Sequence, residues 1–275
     1  MSPMGVRKAA KDRRSPKAPA ARVAAAILGA MALVGCKGGG EMGGKPELLL
    51  YCGAGIRPPV AELAEVFGER NGVKVVTDFA GSQVLLSKIE ISRAGDLYMP
   101  GDKRYVEQAS GAGLVRSQRS VCYFIPAILV AKGNPKGIRG LEDLTRPGIK
   151  LGLGNPEACA IGRLSRKIFK KNRIEWGRVE PNVKFQSMTV NELGLQIQSG
   201  SLDAVIVWDA IARYYERYGE EVRIPTGRNI ISTADVGVLA SSKHPELAER
   251  FAEFVASEDG KAVFRKHNYT VEMPR

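Results

Sequence analysis

Short apolar runs alternate with amphipathic helical stretches from Leu48 to the end of the chain, and no other feature constrains the fold as much. Leu48-Leu49-Leu50-Tyr51-Cys52 has no polar face, the pattern of a strand covered on both sides. Gly53-Ala54-Gly55 breaks it. Pro58-Pro59 then opens a helix with Val60, Leu63, Ala64 and Phe67 at i, i+3, i+4 and i+7, and Asn71-Gly72 closes it. Residues 73–79 read as the next strand. Ser82 stands where an N-cap belongs, before a helix carrying Leu85, Leu86 and Ile89. Residues 95–99 form a third strand, with a helix after Gly101-Asp102.

The second half repeats this style. Residues 123–132 are a long extended run broken by Pro126. Strands follow at 149–154, 183–186, 204–208 and 235–240. Helices are expected after 162, at 209–218 and at 245–256. Thr189-Val190-Asn191-Glu192 has the Thr-x-x-Glu form of a capping box. Such alternation predicts an α/β fold with parallel-rich sheets flanked by helices. The extended runs near 123–131 and 233–240 read as crossovers between two lobes. They place lobe I at 47–125 plus 237–275, and lobe II at 126–236.

The N-terminus reads as an export signal. Residues 1–22 hold seven basic residues and one acid, and the apolar run Val23 to Val34 follows. That run is too short to span a bilayer and suits the h-region of a signal peptide. It ends in Leu33-Val34-Gly35-Cys36, which resembles the bacterial lipobox. This implies a signal peptide at 1–35, lipidation of Cys36 and a flexible Gly-rich tether over 36–46. The protein is therefore expected outside the cytoplasm, periplasmic or extracytoplasmic, touching the membrane only through its lipid. Loss of residues 1–35 halves the formal net charge of +12. The remaining mild basicity suits an anionic ligand or a negative membrane surface. No aromatic-interleaved basic patch points to nucleic acid. The only histidines, His244 and His267, lie near the C-terminus, which disfavours a His-rich metal enzyme. Cys52, Cys122 and Cys159 remain after Cys36, so at most one disulfide can form.

Four βα loops are candidates for chemistry: Gly53-Ala54-Gly55, Gly81-Ser82, residues 155–162, and Ser187-Met188-Thr189-Val190. Ligands in open α/β sheets sit at such loops. Helix N-termini offer unpaired N–H groups and partial positive charge, so four together suit an oxyanion. The same loops also read as ordinary capped turns.

At these residues the sequence resembles the periplasmic molybdate-binding proteins, the substrate-binding components of ABC importers. The resemblance spans about 47–275. It is carried by Val75-Val76-Thr77-Asp78-Phe79-Ala80-Gly81-Ser82, Gly95-Asp96-Leu97-Tyr98-Met99, Gly152-Leu153-Gly154-Asn155-Pro156-Glu157 and Asp203-Ala204-Val205-Ile206-Val207-Trp208. It implies a two-lobed periplasmic-binding-protein fold of type II with the ligand cleft between the lobes. It also implies a permease and its ATPase as partners, a monomer, no catalysis, and no cofactor beyond the ligand, molybdate or tungstate. The family's ligand set is two serines, two backbone amides and a tyrosine. Carried over, the first serine falls on Gly55, which has no hydroxyl, and the second on Ser82. The amides fall on Ile161 and Val190. The tyrosine falls on Trp208, whose indole N–H is also a donor. Trp208 reads equally as a core aromatic.

Other readings remain open beside this one. Another anion, sulfate or phosphate, would suit the same loops. Tyr214-Tyr215 resembles the tandem tyrosines of ferric-ion-binding proteins. An extracytoplasmic enzyme on the same two lobes would use the strand-end carboxylates Asp96, Asp203 and Asp209, although no Gly-x-Ser-x-Gly accompanies them. Cys52 and Cys159 flank two ligand loops, either as a cross-cleft pair or as small packing residues. Arg163, Arg166, Lys167, Lys170 and Lys171 form a solvated helix face or an anion-steering surface.

Overall fold

The computed structural model describes residues 45–274. The expected signal peptide, Cys36 and nearly all of the tether lie outside the described residues. Strand β1 (Glu47–Gly53) leads through a 3-10 turn into helix α1 (Arg57–Asn71). Strand β2 (Lys74–Ala80), helix α2 (Ser82–Ser92), strand β3 (Leu97–Met99) and helix α3 (Lys103–Gly111) follow, then the long strand β4 (Val115–Phe124). After Ile125 the chain enters β5 (Pro126–Ala131), β6 (Leu151–Gly154), α4 (Ala160–Lys171), the single turn α5 (Trp176–Val179) and β7 (Val183–Ser187). Next come α6 (Val190–Gln198), β8 (Ala204–Trp208), α7 (Asp209–Tyr214) and β9 (Gly219–Arg223). Strand β10 (Ser232–Leu239) and helices α8 (Pro245–Ala256) and α9 (Glu258–Lys266) complete the fold.

The strands form two five-stranded sheets, β2-β1-β3-β10-β4 and β7-β6-β8-β5-β9. In the first, β1 runs parallel to β2 and β3 while β10 is antiparallel to β3 and β4. In the second, β6 runs parallel to β7 and β8 while β5 is antiparallel to β8 and β9. Each sheet is thus parallel on one side and antiparallel on the other, less parallel than the alternation suggests. The antiparallel strands β4, β5 and β10 are those next to the passages between sheets. Leu48, Leu50 and Cys52 of β1 and every residue of β8 are buried, because helices cover both faces.

The second passage differs from expectation. Ser232 already pairs with Phe124, so β10 lies wholly in the first sheet, ahead of the expected boundary at 236/237. Strand β9 carries Glu220, Glu221 and Arg223 at a sheet edge and has no apolar run to betray it.

Two cap assignments are also corrected. Helix α2 starts at Ser82 itself, with Gly81 in the N-cap position, so the Ser82 hydroxyl is not spent on its own helix. Thr189 caps α6 without a side-chain bond. Glu192 reaches past it to the Ser187 hydroxyl (2.5 Å) and the Met188 N–H (3.2 Å). The Thr189 N–H is taken by Ser187 instead.

Candidate functional site

The C-terminal ends of β1, β2, β6, β7 and β8 converge on one small cavity between the sheets, about 20 Å³ in volume. Gly55, Ser82, Ile161, Val190 and Trp208 all line it. The remaining lining residues are likewise small or uncharged, and no Lys, Arg, His, Asp or Glu is among them.

Each of the five meets the cavity differently. The Ser82 hydroxyl accepts the Gly101 N–H at 3.0 Å, which occupies a lone pair and leaves its proton to donate inward. Ser82 is held by Tyr98, whose hydroxyl donates to its carbonyl at 2.8 Å. Ile161 and Val190 are first-turn residues of α4 and α6, where amides lack intrahelical acceptors. Trp208 is buried against Phe124, with ring centroids 4.7 Å apart. Its indole N–H has no protein partner among the described residues. Gly55 faces that indole directly: a Cβ placed on it would stand 3.1 Å from Trp208 Nε1 and 2.8 Å from Val190 Cγ1. The glycine and the tryptophan are therefore complementary in volume.

Sequence reasoning missed several supports of this cavity. Tyr269, near the C-terminus, is buried and donates its hydroxyl to the Gly55 carbonyl. Gly81 lies where the two lobes approach closely. A Cβ there would lie 2.6 Å from the Ala158 carbonyl oxygen and 2.7 Å from that of Met188. Beside it the Gln83 N–H donates to the Ala158 carbonyl at 3.1 Å. Asp102 of the first lobe pairs with Arg163 of the second, and also accepts from Ser232 at 2.8 Å. The Tyr269–Gly55 and Asp102–Arg163 contacts have no local sequence signal, since each joins residues far apart in the chain, whereas Gly81 lies in a loop already marked by its sequence.

Cys52, Cys122 and Cys159 are free and buried, so no cross-cleft disulfide forms among them. Cys159 does line the cavity. Burial pushes its thiol up to about 11, and the sulfur lies against the amides of Asn155, Ile161 and Gly162. It stays a neutral thiol and shares the Ile161 amide. Tyr214 is exposed while Tyr215 packs inside, and no group of three or more potential metal ligands occurs among the described residues. Asp96 and Asp203 cap neighbouring backbone, accepting from Leu49 N–H and Lys150 N–H at 2.8 Å.

Asp209 lies next to the cavity, at the start of α7. Burial pushes its carboxyl up to about 6, although the Arg213 cation pulls it down. One oxygen has no hydrogen-bond partner among the described residues. The fold therefore takes up this proton near pH 6, whereas the unfolded chain takes it near about 4. The contribution of this group to stability rises as pH falls from about 6 to about 4 and is constant above. Asp209→Asn is expected to gain stability relative to wild type above pH 6 and to lose that gain by pH 4. Paired melting curves across this range check it.

Residues 48–270 match the bacterial extracellular solute-binding proteins. The chain belongs to that family. Among its relatives is the molybdate-binding protein ModA of Mycobacterium bovis, 24% identical over 232 residues, covering 84% of this chain and 87% of the relative. The fold is shared with the periplasmic molybdate-binding protein of Azotobacter vinelandii (TM-score 0.69, 15% identity, 83% of this chain and 100% of that one). It is also shared with the sulfate-binding protein SubI of Mycobacterium tuberculosis (TM-score 0.72, 19% identity, 82% and 86%). Members of this family bind solutes rather than turn them over, and the two-lobed fold is theirs.

Proposed function

We propose that this protein captures a tetrahedral oxyanion, molybdate or tungstate, for an ABC importer. The observation that carries the reading is the small, uncharged, donor-lined cavity between the lobes. A sphere of its volume has a radius on the scale of the bond from the central atom to the oxygens of such an ion. Organic ligands need several hundred Å³. The Ser82 hydroxyl, the Trp208 indole N–H and the first-turn amides at Ile161 and Val190 supply donors to a dianion. A buried charge with unpaired oxygens would be costly, so donors from both lobes favour closure around the ligand. The scarcity of acceptors disfavours protonated phosphate, and the absence of carboxylates disfavours a bare cation. Bending at Ile125 and over 224–231 would open and close the cleft. The closed form would be read by a permease and its ATPase.

Thermal unfolding with molybdate, tungstate, sulfate, phosphate and Fe(III) in turn tests the reading. Saturation at a hundredfold excess over Kd adds about 2.7 kcal/mol, a rise of a few degrees. A rise with molybdate and tungstate alone is expected. A rise with sulfate or Fe(III) alone would reassign the ligand.

Trp208 takes the space that a side chain at position 55 would fill. Gly55→Ser is therefore expected to weaken binding roughly tenfold despite the added hydroxyl, through about 1–2 kcal/mol of overpacking. Adding Trp208→Tyr should recover part of that loss, so a double-mutant cycle on Kd should show positive coupling. Additive effects would reject the pairing.

We further propose that Cys36 carries the lipid that tethers the domain outside the cytoplasm. Partition of the wild type into detergent, lost in Cys36→Ser, is the expected result.

A further inference from the structure

A second pocket is lined from both lobes and includes Gln83 and Arg163, the residues that contact Ala158 and Asp102 across the seam. It is larger than the first, about 380 Å³. One wall is Gln83 with Arg104, Tyr105 and Gln108 of α3. The other is the loop at Pro156-Glu157 with Arg163, Arg166 and Lys167 of α4. Four cations thus meet a single lining carboxylate, Glu157.

The pairing within this pocket is unequal. Arg163 is neutralised by Asp102 and lies over the Tyr105 ring at 5.4 Å, yet its Nε–H is buried without a hydrogen-bond partner among the described residues. Arg166 lies over the Trp176 ring at 3.4 Å. None of Arg104, Arg166 and Lys167 has a carboxylate within ion-pair distance among the described residues. Partial burial, then the nearby Arg163 and Arg104 cations, hold the Lys167 ammonium below its usual range. Self-repulsion of this kind is relieved by a bound anion. The pocket also has the volume of a small organic-ligand site, unlike the first cavity.

We propose that this pocket binds a second, multivalent anion of the diphosphate or phosphomonoester class, bridging Arg104 of one lobe to Arg166 and Lys167 of the other. Because its two walls belong to different lobes, the anion is complete in its contacts only when the cleft is shut. It therefore acts as a co-ligand of closure and tightens the oxyanion cavity, and the oxyanion tightens it by the same factor. The binding claim stands on this pocket alone. The coupling claim rests on the oxyanion reading above.

Calorimetric titration of the protein with inorganic pyrophosphate tests both. One saturable equivalent is expected, unchanged in Ser82→Ala and weakened at least tenfold in the double variant Arg104→Gln, Lys167→Gln. Both replaced side chains are exposed, so the variant should melt with wild type, and Arg104→Lys should retain most of the binding. Saturating pyrophosphate should tighten molybdate about fivefold or more. Absence of a saturable equivalent, or equal binding by the double variant, would overturn the site. Loss of pyrophosphate binding in Ser82→Ala would mean that it enters the first cavity, which also overturns it. An intact pyrophosphate site with no molybdate binding would leave the site standing and sink the oxyanion reading and the coupling.

Discussion

Gly81→Ala is expected to weaken oxyanion binding about a hundredfold while leaving the melting temperature of the ligand-free protein within about a degree of wild type. The added methyl meets carbonyl oxygens of Ala158 and Met188 at 2.6 and 2.7 Å. Both belong to the opposite lobe, and both are backbone, so neither can rotate away as a flexible side chain would. Overpacking of this order costs about 1–3 kcal/mol. The adjoining bond from Gln83 N–H to the Ala158 carbonyl would lengthen with it. When the lobes part, the overlap vanishes, so the cost falls on closure and not on folding. Calorimetry gives the affinity, and small-angle scattering with and without ligand gives the compaction. Affinity within threefold of wild type would show that the lobes do not close along this seam.

Ser82→Ala should cost a comparable amount by a different route. A hydrogen bond to a charged group contributes about 1.5–3 kcal/mol, or roughly ten- to over a hundredfold in Kd. The substitution removes that donor. It also leaves the Gly101 N–H, now bonded at 3.0 Å, without its acceptor. Ser82→Thr keeps the hydroxyl and should fall between. The two variants separate in their ligand-free melting temperatures. Ser82→Ala lowers stability slightly through Gly101, whereas Gly81→Ala does not. Retention of wild-type affinity by Ser82→Ala would remove Ser82 from the site.

Much of the scaffold was legible because it rests on local rules. The β1 run, the Pro58-Pro59 helix start and the Gly81-Ser82 loop all rest on patterns a few residues long. The five cavity residues came from a family resemblance, and four of them, all but Trp208, also lie in loops that the local patterns marked. What escaped was set by distance in the chain or by competition between bonds. Residues 116–120 of β4, Arg-Ser-Gln-Arg-Ser, are polar throughout and lie at a sheet edge, held by pairing with β10, so they show no apolar run. The Thr189 capping box fails because Ser187 bonds the Thr189 amide first. The Asp102–Arg163 pair joins residues 61 apart, and Tyr269 reaches Gly55 across 214 positions. The steric fit of Gly55 to Trp208 is invisible in either residue alone, since each departs from the family pattern only until the other is placed beside it.

The two sheets differ in how they draw on the chain. Every strand of the second comes from one uninterrupted stretch, β5 to β9, whereas the first leaves β3 with a bare edge until β10 arrives. A ribosome releases the chain from its N-terminus, so the later-numbered lobe holds all its strands before the earlier one does. The first βα loop of the cavity waits longest, because the hydroxyl that steadies Gly55 belongs to Tyr269, which follows every strand of both sheets. A nascent chain, or one cut ahead of Tyr269, thus has its second sheet in order while its capture loop is still unsupported, so ligand retention reports on the Tyr269–Gly55 contact in a way that stability alone does not.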